Sequence, residues 1–209
     1  MKNIAIYTGI FGGHGKGLKV KIPGSLENYD FIPFLGNGRR MDARRIKHLP
    51  HKYLSQYDVS IWIDGDIQIL KDIFPMVQGL MAKSNFVCLS HPQEKNNLTI
   101  YKEAERCITF RRGCPHKVKA QMEAYKKEGC PADSPVISST ILIRKHNEPD
   151  VIKFSEAWWH EINTRSSRDQ VSFPYVVWKQ NFHYIKIYTD HKYSKSLGVE
   201  GADWFKKSY

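Results

Sequence analysis

The chain has 209 residues, 41% hydrophobic and 25% charged, enough for one α/β domain with a sizeable core and too evenly mixed for a disordered chain. Lys and Arg number 32 against 21 Asp and Glu, a formal charge of +11, which favours an anionic partner (nucleotide phosphates, an acidic glycan, a phospholipid surface or nucleic acid) without choosing among them. No run reaches the ~18 apolar residues of a membrane span, glycines interrupt the apolar start too early for a signal peptide, and Cys88, Cys107, Cys114 and Cys130 form no Cys-x-x-Cys zinc pair. The expectation is a soluble, cytoplasmic chain with reduced thiols, its charge leaving room for peripheral association with the inner membrane face.

Residues 3–10 read as a first strand, rich in β-branched and aromatic residues. Gly9, Gly12, Gly13, Gly15 and Gly17 then surround His14. No Gly-Lys-Ser/Thr closes this loop, so it is not a phosphate-binding P-loop; a mobile connection and a nucleotide-binding loop both stand. Residues 29–35 form a second strand, with Pro33 at an edge or strand end. A basic cluster follows: Arg39, Arg40, Arg44, Arg45, Lys47 and His48, with Met41, Ala43 and Ile46 between them. Part of it is expected to be helical. Arg forks suit phosphate, and the plain alternative is an exposed charged helix face.

Residues 60–63 are a buried strand that runs directly into Asp64-Gly65-Asp66. Taken alone, Asp-x-Asp reads as a solvated turn. The apolar run ahead of it changes that reading, because it sets the pair at a strand's carboxyl end, where open α/β sheets bind ligands. Two carboxylates at the end of a buried run need a counter-charge, and a hard divalent cation supplies one.

Helices are expected over 72–83 with Asp72 as cap, 98–110, 117–128, 149–162 starting at Pro149, and from 168 towards 179. Further strands are expected over 86–90, 136–144 and 182–189. Trp158 and Trp159 read as core with partial exposure. Strands alternating with helices imply a mostly parallel sheet, in one domain spanning 1–209.

With these stretches in place, the chain resembles a GT-A-fold nucleotide-sugar glycosyltransferase. More narrowly, it is similar to a glycosyltransferase-like family of plants and bacteria long catalogued as a domain of unknown function. The resemblance rests on Ile4 to Gly9, Ala43 to Lys47 with His51, Ser60 to Asp66, Gln121-Met122 with Tyr125 and Gly129, and Ile143 to Asn147. It continues through Trp158 to Ile162 and Ser167 to Phe173. These pieces fall in family order over most of the chain.

The resemblance implies a Rossmann-like, mostly parallel sheet flanked by helices that binds a nucleoside-diphosphate sugar, expected to be a UDP-sugar, and passes the sugar to a glycan or other hydroxyl acceptor. It implies that Asp64 and Asp66 hold Mn²⁺ or Mg²⁺ on the donor pyrophosphate. It places Tyr7, Thr8 and Gly9 at the base and Arg44 and Lys47 near the donor. His191 would complete the metal shell, with His183 as rival, and Lys195 would bind pyrophosphate. Asp169 and Gln170 would be catalytic, Asp169 as base or as orienter of the sugar; the plain alternative for Asp169 is a helix cap.

Two other classes compete. Haloacid-dehalogenase-type phosphohydrolases also place Asp-x-Asp after an apolar strand, though usually near the chain start and followed by Thr where this chain has Gln68. A non-enzymatic binding module would rest on charge alone, and no nucleic-acid motif supports it.

Overall fold

The structure is a computed structural model, and residues 4–11, 28–93, 96–188 and 205–207 are described. The strands are β1 (Ile4–Phe11), β2 (Asp30–Gly36), β3 (Val59–Ile63), β4 (Ile67–Ile69), β5 (Phe86–Ser90), β6 (Ile137–Arg144), β7 (Ile185–Ile187) and β8 (Phe205–Lys207). The helices are α1 (Arg40–His48), α2 (Phe74–Met81), α3 (Ile100–Thr109), α4 (Pro115–Lys127), α5 (Pro149–Thr164) and α6 (Asp169–Gln180).

Six strands make one sheet in the order β2-β1-β3-β6-β5-β7. The pairs β2–β1, β1–β3 and β5–β7 are parallel, whereas β6 runs antiparallel to both β3 and β5. The expected mostly parallel α/β sheet is thus present, with one strand reversed in its middle. That reversal positions the site. The start of β6 lies at the same edge of the sheet as the carboxyl ends of β1 and β3.

Every residue of β3 and of β5 is buried, because both faces of the sheet are covered. Alternate side chains divide between two clusters. Ala5, Tyr7, Trp62, Phe86, Cys88 and Leu142 face α1, α3, α4, α5 and α6. Ile4, Ile6, Ile61, Ile63, Val87 and Ile143 face α2 and β4. In the first cluster Trp158 of α5 packs against Phe154, Phe173 and Phe86 with ring centroids 5.8, 5.0 and 6.4 Å away. Its indole N–H donates to the carbonyl of Asp169, at 3.0 Å.

Some boundaries differ from expectation for local reasons. Helix α4 starts at Pro115, two residues early, since proline suits the first helical position. Helix α2 starts at Phe74 with Ile73, not Asp72, as its cap residue; Asp72 sits one position earlier and accepts the Phe74 N–H at 3.0 Å. Asn181 closes α6 in the left-handed region at φ 47°. Strand β7 keeps three of its expected residues, and β4 pairs with β8 in a small second sheet the sequence did not suggest. All four cysteines are free thiols, with only Cys114 exposed. No helix among the described residues is long and apolar enough to cross a membrane.

Because Trp158 is fully buried, Trp158→Ala should lower unfolding stability by about 3–5 kcal/mol. Trp158→Phe, which keeps most of the bulk but loses the hydrogen bond, should cost about 1–2 kcal/mol. Urea unfolding followed by circular dichroism reads both values.

Candidate active site

Asp64 is the residue after β3, two positions beyond Trp62, so both side chains leave the same face of the strand. The Trp62 indole N–H donates to Asp64 Oδ1 at 2.8 Å. The Asp64 backbone N–H continues the ladder to β6, donating to the Thr140 carbonyl at 2.9 Å. Gly65 is packed rather than strained: an added Cβ would lie 3.3 Å from Ile10 Cδ1 and 3.9 Å from Thr8 Oγ1.

Opposite Asp64, the first turn of α6 carries Asp169. A bulge in β6 brings a third group in. Strands β5 and β6 pair up to Cys88↔Leu142 and resume at Leu89↔Ser138, leaving Ser139, Thr140 and Ile141 without opposite numbers on β5. Bulges re-aim side chains in this way. Ser139 Oγ–H donates to Asp169 Oδ2 at 2.7 Å.

Lys47, in the last turn of α1, joins these parts. Its ammonium donates to Asp169 Oδ2 at 3.1 Å and Ser139 Oγ at 3.2 Å, and lies 3.6 Å from Asp64 Oδ1. It also lies 5.6 Å from the centre of the Trp62 ring, a favourable cation–aromatic approach. The Lys47 side chain is 8% exposed and that of Asp169 11%, whereas Asp64 keeps 35%. The Lys47 backbone is clamped from behind. Its carbonyl accepts from Tyr7 OH at 3.0 Å and from the Arg144 guanidinium at 2.8 Å, and Arg144 also donates to Tyr7 OH. Burial pushes the Tyr7 phenol up to about 12, which keeps it a donor.

The two aspartates titrate in opposite directions. At Asp169, burial opposes ionisation, but Lys47, Arg44 and the Ser139 hydroxyl outweigh it and hold the carboxyl well below the usual range. The amino end of α6 favours negative charge there as well. At Asp64, burial raises the carboxyl above its ordinary value, and Lys47 and the Trp62 N–H only partly offset it. Next to Asp169, burial pulls His48 down to about 3, so the ring is neutral; it hydrogen-bonds the Arg44 carbonyl at 2.8 Å.

The remaining expected site residues take varied places. Tyr7 is fully buried, so its ring is a brace for Lys47 and presents no surface to a base. Thr8 is buried beside Gly65, and its hydroxyl finds no partner among the described residues. Gly9 lets α1 close on β1: an added Cβ would meet Trp62 Cη2 at 3.3 Å and Ala43 Cα at 3.4 Å. Arg44 donates to the Ser167 carbonyl, tying α1 to the turn before α6. Gln170 donates to the Ile137 carbonyl at 3.1 Å and accepts from Arg168 at 3.2 Å, bracing α6 on β6. Arg168, not Asp169, is the cap residue of α6. His191 and Lys195 lie outside the described residues.

Asp64 and Asp66 offer hard oxygen donors one residue apart. Among the described residues no group of three His, Cys, Asp or Glu could hold a metal ion, which leaves out the rival ligand His183. Two carboxylates of this kind suit a hard divalent cation such as Mg²⁺ or Mn²⁺. Burial raises the Asp64 carboxyl, and a cation bound there would lower it again. Ser139, Trp62 and Arg144 were missed in the sequence. Serine and arginine in a strand-like run carry no local signal; only the reversed strand and its bulge bring them here.

A family model for the TOD1/MUCI70 glycosyltransferase-like domain matches residues 33–199. Among curated proteins, the chain is 25% identical over 154 residues to a probable hexosyltransferase, MUCI70, of Arabidopsis thaliana, covering 69% of this chain and 26% of that protein. The chain thus spans about a quarter of that relative's length. Among solved structures it is similar to a glycosyltransferase involved in glycosylation of the major capsid of PBCV-1. The TM-score is 0.48 at 10% identity, over 98% of this chain and 91% of that one.

The opposed titrations carry opposite stability effects. Asp169 has a depressed folded value, so its stabilisation is fully present above about pH 4 and is lost as pH falls below that. Asp169→Asn should cost about 3–5 kcal/mol at pH 7, because it leaves Lys47 buried without its partner, and the deficit should shrink in acid. Asp64 has a raised folded value, so its ionised form burdens the fold at neutral pH and is relieved as pH falls. Asp64→Asn should therefore raise the melting temperature of the ligand-free protein at pH 7, with the gain vanishing in acid. Melting curves across pH check both signs.

Proposed function

The chain belongs to the TOD1/MUCI70 glycosyltransferase-like domain family, and from that premise we propose that it moves a hexosyl or related sugar from a nucleoside-diphosphate donor to a hydroxyl of a glycan or other acceptor. We take the donor to be a UDP-sugar and the reaction to depend on Mn²⁺ or Mg²⁺. The observation that carries this reading is the convergence of Lys47, Asp64 and Asp169, from three separate elements, at the carboxyl edge of the parallel strands, where open α/β sheets bind ligands.

Asp64 and Asp66 would hold the cation. Bound there, it would neutralise charge on the donor diphosphate. The chain's own groups do the rest. Breaking a sugar–phosphate bond leaves negative charge on the diphosphate oxygens. The Lys47 ammonium, carried on a backbone that Tyr7 and Arg144 hold in place, stabilises charge developing beside it. Arg44, held by Ser167, adds a second positive group on the same side.

Asp169 orients rather than abstracts. A general base works best with a pKa near the working pH, and Asp169 is held far below it by Lys47 and Ser139. Its carboxylate is suited to accept a hydrogen bond from a sugar hydroxyl and to keep Lys47 in place. The excess of positive charge draws the anionic donor in and would favour contact with an anionic membrane surface.

Thermal melts with a panel of nucleotide sugars, each with and without Mn²⁺, test the proposal. One donor class at a hundredfold excess over its dissociation constant should raise the melting temperature by roughly 5–10 °C, with Mn²⁺ only. Asp64→Asn and Asp66→Asn should each abolish that shift with the fold intact. Equal nucleotide-diphosphate affinity in both variants and the wild type would dismiss the assignment.

A further inference from the structure

We infer that Lys47 is a resident counter-ion for Asp64, so that the site takes up its divalent cation together with a diphosphate and not ahead of it. This rests on the donor-and-metal reading above. The ammonium sits 3.6 Å from Asp64 Oδ1, on the carboxylate that would hold the ion. Two cations sharing one carboxylate repel, and the repulsion is strongest where solvent is scarce. Lys47 is such a place, with its side chain 8% exposed.

Lys47 cannot yield by moving its backbone. Tyr7 and Arg144 both hold its carbonyl, and Arg144 is itself fully buried. Only the flexible four-carbon stem is free to swing. The swing is inexpensive in contacts, because Asp169 Oδ2 and Ser139 Oγ remain as acceptors when Asp64 is given up. A diphosphate oxygen offers the ammonium a third acceptor in place of Asp64. Anion and cation then each make room for the other, and such coupling is reciprocal.

Titration calorimetry on the full chain with MnCl₂ alone, UDP alone, and MnCl₂ in saturating UDP reads this directly. In the wild type, UDP should tighten Mn²⁺. In Lys47→Met, Mn²⁺ alone should bind on the order of tenfold more tightly, while UDP without metal binds more weakly. Opposite signs are the signature, since mere loss of structure would weaken both. Lys47→Arg keeps the charge and should show no tightening. Unchanged or weaker Mn²⁺ binding in folded Lys47→Met overturns the inference, as does equal tightening in Lys47→Arg. If Lys47→Met fails to fold because Asp169 loses its partner, Lys47→Met with Asp169→Asn, compared with Asp169→Asn alone, should show the same tenfold gain, and its absence overturns the inference. Asp64→Asn separates the two ideas. If it leaves Mn²⁺ binding untouched, the metal reading itself is wrong; if it removes binding while Lys47→Met tightens nothing, only the counter-ion inference falls.

Discussion

One ammonium group holds the site together. Lys47 reaches Asp169, Ser139 and Asp64 from the end of α1, and these partners come from the start of α6, the bulge of β6 and the end of β3. An ammonium this deeply placed is tolerable only with its partners present. The same contacts that make Lys47 affordable to bury therefore also fix the relative positions of four elements far apart in sequence. Removing the reversal of β6 would carry Ser139 to the opposite edge of the sheet and leave Asp169 and Lys47 without their shared hydroxyl.

The pocket divides stability and readiness between two carboxylates of the same kind. Asp169, at a helix amino end with a lysine and a hydroxyl, is more comfortable ionised than it would be in water. Asp64, drawn into the protein with one indole N–H and a more distant lysine, is less so. Side chains that bind ligands are often those the fold alone would not choose. That burden at Asp64 is what a bound cation would relieve under the proposed function, while Asp169 is tied into the framework by Lys47 and Ser139.

Much of the architecture was legible in the sequence, because its signals are local. The β1, β3 and β5 strands announce themselves as short apolar runs. Pro149 marks the start of α5, and the run 137–144 gives β6 its length. The direction of β6 was not legible, since a strand buried on both faces reads alike either way round. Nor was the pairing of β4 with β8, whose three residues each are too few for a pattern. Within the site, Asp64, Asp169 and Lys47 could be named singly from motif and resemblance, but their meeting could not. It depends on Asp169 reaching Lys47 across 122 positions of the chain. Tyr7 shows the converse. A tyrosine in a first strand invites a ligand, yet Tyr7 sits buried in the middle of β1 and its hydroxyl donates to the Lys47 carbonyl. The family match favours the transferase reading over the phosphohydrolase and binding-module readings, which charge and a lone Asp-x-Asp had left standing.

The two aspartates of Asp64-Gly65-Asp66 are also unequal, and the fold says why. Asp64 shares its face of the sheet with Trp62 and points towards α1 and α6, so one of its oxygens is already engaged by the indole. Asp66 lies beyond the glycine, at the entry to β4. In the proposed reaction Asp64 and Asp66 would hold the cation, and the Lys47 ammonium, 3.6 Å from Asp64 Oδ1, would meet negative charge on the diphosphate. The glycine between the acids leaves room for Ile10, whose Cδ1 an added Cβ would meet at 3.3 Å.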